Sequence, residues 1–374
     1  MLSIIKYIKE HGLENAVKEF KLKTRDYDHK VLIKYDQIES SMGFSEVQDC
    51  RGLILEKGTW NILCLSFRKF FNAEEGHAAM IDWNTAKVLS KLDGSMIQVY
   101  WDYKKEEWFA ATTGTGEGEG EVNNKDGTTF NGLFWKTVIT KYNMNIDDLK
   151  KGNVYVFELM TPYNIVVTPH TESAVALLAI RNLKDLSEYN YEALKKVAET
   201  LGVPLVKAYD MNVKDVGAIK RTFDGMPFTD EGYVVVDGNF NRIKIKNPAY
   251  VSAHHLKGKM GSHHIMGIVK SNEIDEFIAT FKEREEEIKH LESGYKLLTS
   301  KLANCWDELS LLKPKNITPE EKKRFAMSVF VLAEKYDVKG FTGLFFSLND
   351  GKINSINDFM VNYDDKILYN LLIK

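Results

Sequence analysis

The apolar residues of this chain change their spacing once, and that single change constrains the fold more than any other feature. From about Val31 to about Val251 short apolar runs alternate with turn residues, the pattern of strands. The runs include Gly52 to Leu55, Val88 to Leu89, Met96 to Trp101, Val154 to Leu159, Ala174 to Ile180, Tyr233 to Val236 and Phe240 to Ile245. Beyond Val251 the spacing turns helical, through Ile274, Phe277, Ile278, Phe281, Ile288 and Leu291, and Leu298, Leu302 and Trp306 continue it. The expected fold class is α+β. A domain of antiparallel sheets is expected over residues 1–252, followed by an all-helical domain over 253–374.

Helices also punctuate the first part. Ile4, Ile5, Ile8, Leu13, Val17 and Phe20 predict one amphipathic helix at the N-terminus, and Tyr191, Leu194, Val197 and Leu201 predict another over Glu188 to Leu201, stopped by Gly202. Thr318-Pro319-Glu320-Glu321 is a helix start, with a capping Thr and a Pro in the first turn, and Gly340 is expected to close that helix. Thr112 to Glu121, reading TTGTGEGEGE, has nothing to bury and is expected to be a mobile surface loop.

Composition narrows the classes. A length of 374 residues predicts two or three domains, and 44% hydrophobic with 28% charged residues is ordinary for a globular protein. A net charge of -3 means that any polyanion site must be a local patch. Cys50, Cys64 and Cys305 make neither a disulfide framework nor a CxxC zinc pattern, so reduced thiols in the cytosol are expected. Lys6, Lys9 and Glu10 interrupt the first apolar residues, and the longest apolar run, Ala174 to Ile180, is too short for a bilayer; no membrane association is expected.

No GxxxxGK[ST] motif occurs, and the TGTGEGEGE segment carries acids where a phosphate would sit. Nucleotide phosphates would have to be gripped by side chains. Lys91-Leu92-Asp93-Gly94-Ser95 places a lysine after a strand and before an Asp-Gly turn, a rigid mount for an amine. That amine is a nucleophile only when neutral, which requires lowering a pKa that is ordinarily about 10.4. In the strand Arg242-Ile243-Lys244-Ile245-Lys246, alternation puts three cations on one face, where they repel one another unless an anion lies between them. The bland reading is a solvated edge strand blunted by lysines.

Two carboxylates accompany the cations. Glu158 shares a strand face with Val154 and Val156, where an apolar residue is expected. Glu231 precedes an apolar strand that turns through Asp237-Gly238-Asn239 into the cationic strand, so a hairpin brings it near the lysines. Either a divalent cation, a ribose hydroxyl or a plain ion pair answers such charges. Cys50-Arg51-Gly52 and Arg68-Lys69-Phe70-Phe71-Asn72 set further basic residues beside apolar segments. His254, His255, His263 and His264 lack the spacing of a helical zinc site and are expected at a domain junction.

Read in order, these pieces resemble the covalent nucleotidyltransferases, the superfamily of ATP-dependent ligases and capping enzymes. Within it the chain is most similar to the phage RNA ligase 1 family, on Cys50-Arg51-Gly52, Arg68-Lys69-Phe70-Phe71-Asn72, Lys91-Leu92-Asp93-Gly94-Ser95, and Lys244-Ile245-Lys246 followed by Tyr250-Val251-Ser252. The resemblance implies an adenylation domain, with Lys91 as the nucleophile that takes AMP from ATP and Asp93, Gly94 and Ser95 completing its turn. It implies that Tyr35 contacts the adenosine, Arg51 and Lys69 a nucleotide phosphate or ribose, Glu158 the ribose, and Lys244 and Lys246 the α-phosphate. It assigns Glu231 to a metal, Mg2+ or Mn2+.

The implied partners are RNA 5′-phosphate and 3′-hydroxyl ends, among them those of a cleaved tRNA, and a polynucleotide kinase/phosphatase acting beforehand, in a host cell's cytoplasm if a phage encodes the chain. The helical domain would read the RNA substrate. Two departures stand out. Ala110 to Gly114 lacks the lysines that family members often carry there, and Ile165 stands where the family has Arg after Asn164. The family's C-terminal metal-site aspartate has no secure match around Asn272 and Glu273. Alternatives are a DNA ligase or capping-type enzyme, and an RNA-binding relative with impaired catalysis.

Overall fold

The computed structural model describes residues 1–123, 127–164, 167–256, 265–271, 274–280, 284–313 and 318–373. The chain divides into two compact units, Met1–Lys257 and Gly258–Lys374.

In the first unit, β1 (Leu22–Asp26), β2 (Lys30–Tyr35), β3 (Arg51–Glu56) and β4 (Ile62–Cys64) form an antiparallel sheet in that order. The chain then lays down β5 (Phe71–Asn72) and β6 (Lys87–Ser90), which belong to a mixed sheet completed later. Next come β7 (Ser95–Asp102), β8 (Glu107–Ala111), β9 (Asn153–Met160) and β10 (Ala174–Asn182), an antiparallel sheet of spatial order β10-β9-β7-β8. Strands β11 (Ala208–Tyr209), β12 (Gly232–Val236) and β13 (Arg242–Lys246) finish the mixed sheet, ordered β11-β6-β12-β13-β5. Its β13–β5 pairing is parallel, with Lys244 opposite Asn72, a departure from uniformly antiparallel pairing.

Strand β9 is buried on both faces, which is why its sequence is almost wholly apolar. Val154 and Val156 join a core with Leu32, Ile54 and Tyr100, while Tyr155, Phe157 and Leu159 face a second core with Phe134 and Leu194. Helices Phe130–Tyr142 and Tyr191–Leu201 cover that second core. The mixed sheet has its own core of Val88, Tyr233, Val235, Ile243 and Ile245. The second unit is helical among its described residues, with Leu291, Leu302, Phe345 and Met360 in one core. No helix among the described residues is long and apolar enough to cross a membrane.

Several local expectations are corrected. The N-terminal helix is two, Ser3–His11 and Leu13–Phe20, because Gly12 takes φ 87 and breaks the hydrogen-bond ladder. Helix Pro319–Lys335 ends before Gly340, which lies in a short 3-10 turn, Lys339–Phe341. Strand β13 starts at Arg242 because Phe240 sits in a loop whose Asn239 and Asn241 N–H groups donate to the Asp237 carboxylate.

Thr112 to Glu121 is not a free loop. Glu117 accepts from Lys105 at 2.7 Å and pairs with the fully buried Lys30 at 3.0 Å, and Glu119 meets Arg25 at 2.7 Å and Tyr27 at 2.6 Å. Lys30 also reaches Asp102 at 2.6 Å, so Glu117 closes a buried ion cluster, while Glu119 pairs at the surface. Of the paired histidines, His254 stacks on Tyr250; His263, His264 and the side chain of His255 lie outside the described residues, as do Ile165, Asn272 and Glu273.

Candidate active site

Lys91 stands where the chain leaves the mixed sheet for the antiparallel sheet of β7. Its backbone N–H donates to the Gly232 carbonyl at 2.9 Å, which extends the β6–β12 pairing to the lysine itself. The turn that follows is clamped at Asp93, Gly94 and Ser95. The buried Asp93 carboxylate accepts from the N–H groups of Val167 at 2.9 Å and Thr168 at 2.6 Å. Gly94 is required by close approach, since a Cβ there would lie 2.6 Å from the Leu159 carbonyl oxygen. Ser95 Oγ accepts from the Asn164 amide at 2.7 Å.

The lysine side chain meets a carboxylate at once. Lys91 Nζ lies 2.6 Å from Glu231 Oε1, and Lys246 Nζ lies 3.7 Å from the same oxygen. The hairpin explains the meeting, because Gly232 and Lys246 are register partners on β12 and β13. Burial patterns along β13 place Ile243 and Ile245 in the core and Arg242, Lys244 and Lys246 on the other face, as alternation requires. On that face Lys244 pairs with Val234, a residue of the cavity wall.

A cavity of about 570 Å³ opens between the two sheets, lined by Lys91, Gly94, Ser95, Glu158, Arg51 and Arg242. Phe67, Phe70, Leu89, Leu178 and Val234 give it apolar walls, a combination suited to a base and its phosphate. The Glu158 carboxyl is pushed up to about 8 by burial, offset in part by Lys91 and Arg51 and reinforced by Glu231 and Asp93. Neutral Glu158 is therefore the main form at pH 7. Burial lowers the Arg51 pKa below its ordinary value, and Tyr35 and Glu158 work against that shift. Arg51 Nη1 is buried with no hydrogen-bond partner among the described residues, and its guanidinium stacks over Phe67 and Phe70 with separations of 5.1 and 5.3 Å. Gly52, at φ 77, lets the Thr112–Thr113 backbone press on this strand, for a Cβ would come within 2.8 Å of Thr113 Cα.

Not every expected residue converges on that cavity. Lys69 opens on a second cavity of about 590 Å³ that shares Phe70 and Arg242 with the first. Its ammonium lies 5.4 Å from the Tyr35 ring, so Tyr35 and Lys69 form a pair beside the main cleft. Arg242 is no solvated strand-end charge, as the bland reading had it. Its side chain is 10% exposed, pairs with Glu188 at 2.5 Å and stacks on Phe67 at 4.9 Å. Glu188, which also binds Arg181, carries no mark in the sequence because its partners are 7 and 54 residues away. Among the described residues no three His, Cys, Asp or Glu side chains cluster as a metal site.

A family model described as RNA ligase matches residues 49–250. The RNA ligase of Rhodothermus phage RM378 is 26% identical over 350 residues, covering 76% of this chain and 79% of that one. An Autographa californica nuclear polyhedrosis virus protein, carrying the name of a bifunctional polynucleotide kinase/RNA ligase, is 26% identical over 315 residues; the match covers 77% of this chain and 43% of that protein. Among solved structures, an archaeal ATP-dependent RNA ligase superposes with a TM-score of 0.44 at 11% identity, over 72% of this chain and 68% of the other.

Proposed function

The chain belongs to the RNA ligase family, and from that membership we propose that it seals RNA 5′-phosphate and 3′-hydroxyl ends with ATP through an AMP adduct on Lys91. The observation that carries the proposal is the Lys91 amine, paired with Glu231 and flanked by Lys246, at the edge of a nucleotide-sized cavity. In the first step neutral Lys91 attacks the α-phosphorus of ATP; a P–N bond forms and pyrophosphate leaves. Next an RNA 5′-phosphate oxygen displaces the lysine nitrogen, which recovers a proton. A 3′-hydroxyl then loses its proton, attacks the activated 5′-phosphorus and releases AMP.

Each transfer gathers negative charge on phosphate oxygens, for which preorganised donors are the effective remedy. Lys244 and Lys246 would meet the α-phosphate, and the unpartnered Arg51 Nη1 offers a further N–H donor. Glu158, neutral at pH 7, would share a hydrogen bond with a ribose hydroxyl. Tyr35 and Lys69 would contact the nucleotide from the side of the second cavity. Glu231, a carboxylate set against the Lys91 amine, is the residue that would hold a divalent cation. Magnesium or manganese there would neutralise phosphate charge when bound together with the substrate's oxygens.

The reading extends to RNA repair in a host cytoplasm, with cleaved tRNA among the substrates and a kinase/phosphatase preparing the ends. The paired activities in the baculovirus protein's name support that last element. Intact-mass measurement after incubation with ATP tests the chemistry: a gain of one AMP is expected, and none in Lys91→Ala. That variant should still seal RNA already carrying a 5′-adenylate, since the final step does not use the nucleophile. An adduct that persists in Lys91→Ala would refute the assignment, and parallel sealing assays on RNA and DNA ends separate the acceptors.

A further inference from the structure

The second cavity contains more positive charge than the fold neutralises. Arg68, Lys69, Arg181 and Arg242 line it, and Glu188 is the carboxylate in its wall. Glu188 is spent on Arg181 and Arg242, and Asp49 accepts from Arg68 at 2.8 and 3.1 Å. Four cations face those two acids in ion pairs, and Glu46 acts on Arg68 from farther off, so at least one positive charge is left over. Lys69 has aromatic neighbours, Tyr35 and Phe71, and no acid within ion-pair distance among the described residues. Arg181 Nε is buried with no hydrogen-bond partner among the described residues, and burial pulls the Arg181 pKa down. Such a cluster is costly unless an anion completes it.

The walls also select the anion. Phe70, Phe71 and Phe240 border the cavity, and the volume of about 590 Å³ exceeds what a lone phosphate would fill. Cations that follow a phosphate backbone, interleaved with aromatic faces for bases, are the pattern by which proteins hold single-stranded nucleic acid. Strand sealing also requires two polynucleotide ends beside one nucleotide, and the first cavity is sized for the nucleotide. Phe70 and Arg242 belong to both cavities, so a strand in the second would end beside the first.

We propose that this second cavity, built by Arg68, Arg181, Arg242 and the flanking phenylalanines, holds a terminal nucleotide of the RNA being sealed, while Lys69 on its wall keeps the nucleotide contact proposed above. The inference rests on the RNA-ligase reading above. Its competitor for the same chemistry is the triphosphate tail of ATP, and two half-reactions separate them.

Two variants of the full chain test it. Arg68→Ala removes a cation, and Asn239→Glu places a carboxylate on the wall from an exposed loop position, where the fold has no stake in the side chain. Each should raise KM for RNA by about tenfold in sealing of pre-adenylated RNA, the effect of one charged hydrogen bond. The salt dependence of RNA binding in Arg68→Ala should weaken by about one counterion. Formation of the AMP adduct from ATP should stay within about twofold of the unaltered enzyme. Unchanged KM for RNA in Asn239→Glu would overturn the proposal. So would an adduct-forming rate that falls as far as sealing does, because the cavity would then serve ATP. Absence of both half-reactions in the unaltered enzyme would instead sink the ligase reading itself, which keeps the two failures apart.

Discussion

Glu158 holds its proton because its surroundings penalise the anion more than Lys91 and Arg51 reward it. Its pKa moves from 4.5 to about 8 on folding, so between those values the folded chain binds more protons than the unfolded chain. Stability contributed by this group is complete below about pH 4.5 and is lost progressively as pH rises to about 8. Glu158→Gln, which stays neutral, should flatten the fall in Tm of the ligand-free protein between pH 5 and pH 8 when the two proteins are melted side by side. Up to about 1.4 kcal/mol of stability per pH unit separates their slopes in that range. Equal slopes would mean that the carboxyl ionises normally. Sequence alone marks Glu158 as anomalous, since strand alternation puts a carboxylate on a face shared with Val154 and Val156. What alternation cannot supply is its neighbour Glu231, which comes from a different sheet, or the burial of Arg242 by Glu188, because pairings across long stretches of chain leave no periodic trace.

At the scale of the element, the lysine turn works because two separate segments close on it. Strand β9 passes so near Gly94 that a methyl group would meet the Leu159 carbonyl oxygen at 2.6 Å, and the backbone of Val167 and Thr168 is tied to Asp93. Gly94→Ala should therefore force β7 and β9 apart locally; the expected cost is about 1–3 kcal/mol of stability by denaturant melt, with adduct formation reduced far more than that loss of fold explains. A variant with normal adduct formation would show that the approach is not constraining. Elements with strong local signals are legible in the sequence: β6, β7, β9 and β12, the Gly202 stop and the Thr318 cap, whose hydroxyl accepts from the Glu321 N–H. Helix Phe130–Tyr142 is not, because Phe134, Trp135 and Val138 are apolar around much of its circumference, and the period is blurred. The acidic glycine-rich segment misleads for a different reason. Its carboxylates look solvated in the sequence, and Lys30, a residue with no local mark, lies buried beneath them.

For the molecule as a whole, the division at Lys257 sets a test of what each part contributes. Every residue proposed to bind nucleotide precedes it, and the first unit has cores of its own. A chain ending at 257 should fold, shown by a cooperative melt, and form the AMP adduct, while losing discrimination between a nicked, structured RNA and simple single-stranded ends. A folded truncation with unchanged preference would remove the helical unit from substrate reading, and one that fails to melt cooperatively would make that unit a stabiliser. The ion cluster around Lys30 bears on how the protein meets its substrate at a distance. A net charge of -3 would ordinarily slow the approach of a polyanion. Yet Glu117, Glu119 and Asp102 are matched one to one by Lys105, Arg25 and Lys30, so this acidic segment adds no local negative field, although the net charge is unchanged. The encounter should then be steered by the excess cations of the second cavity rather than opposed by the bulk charge, and association should slow with added salt instead of quickening.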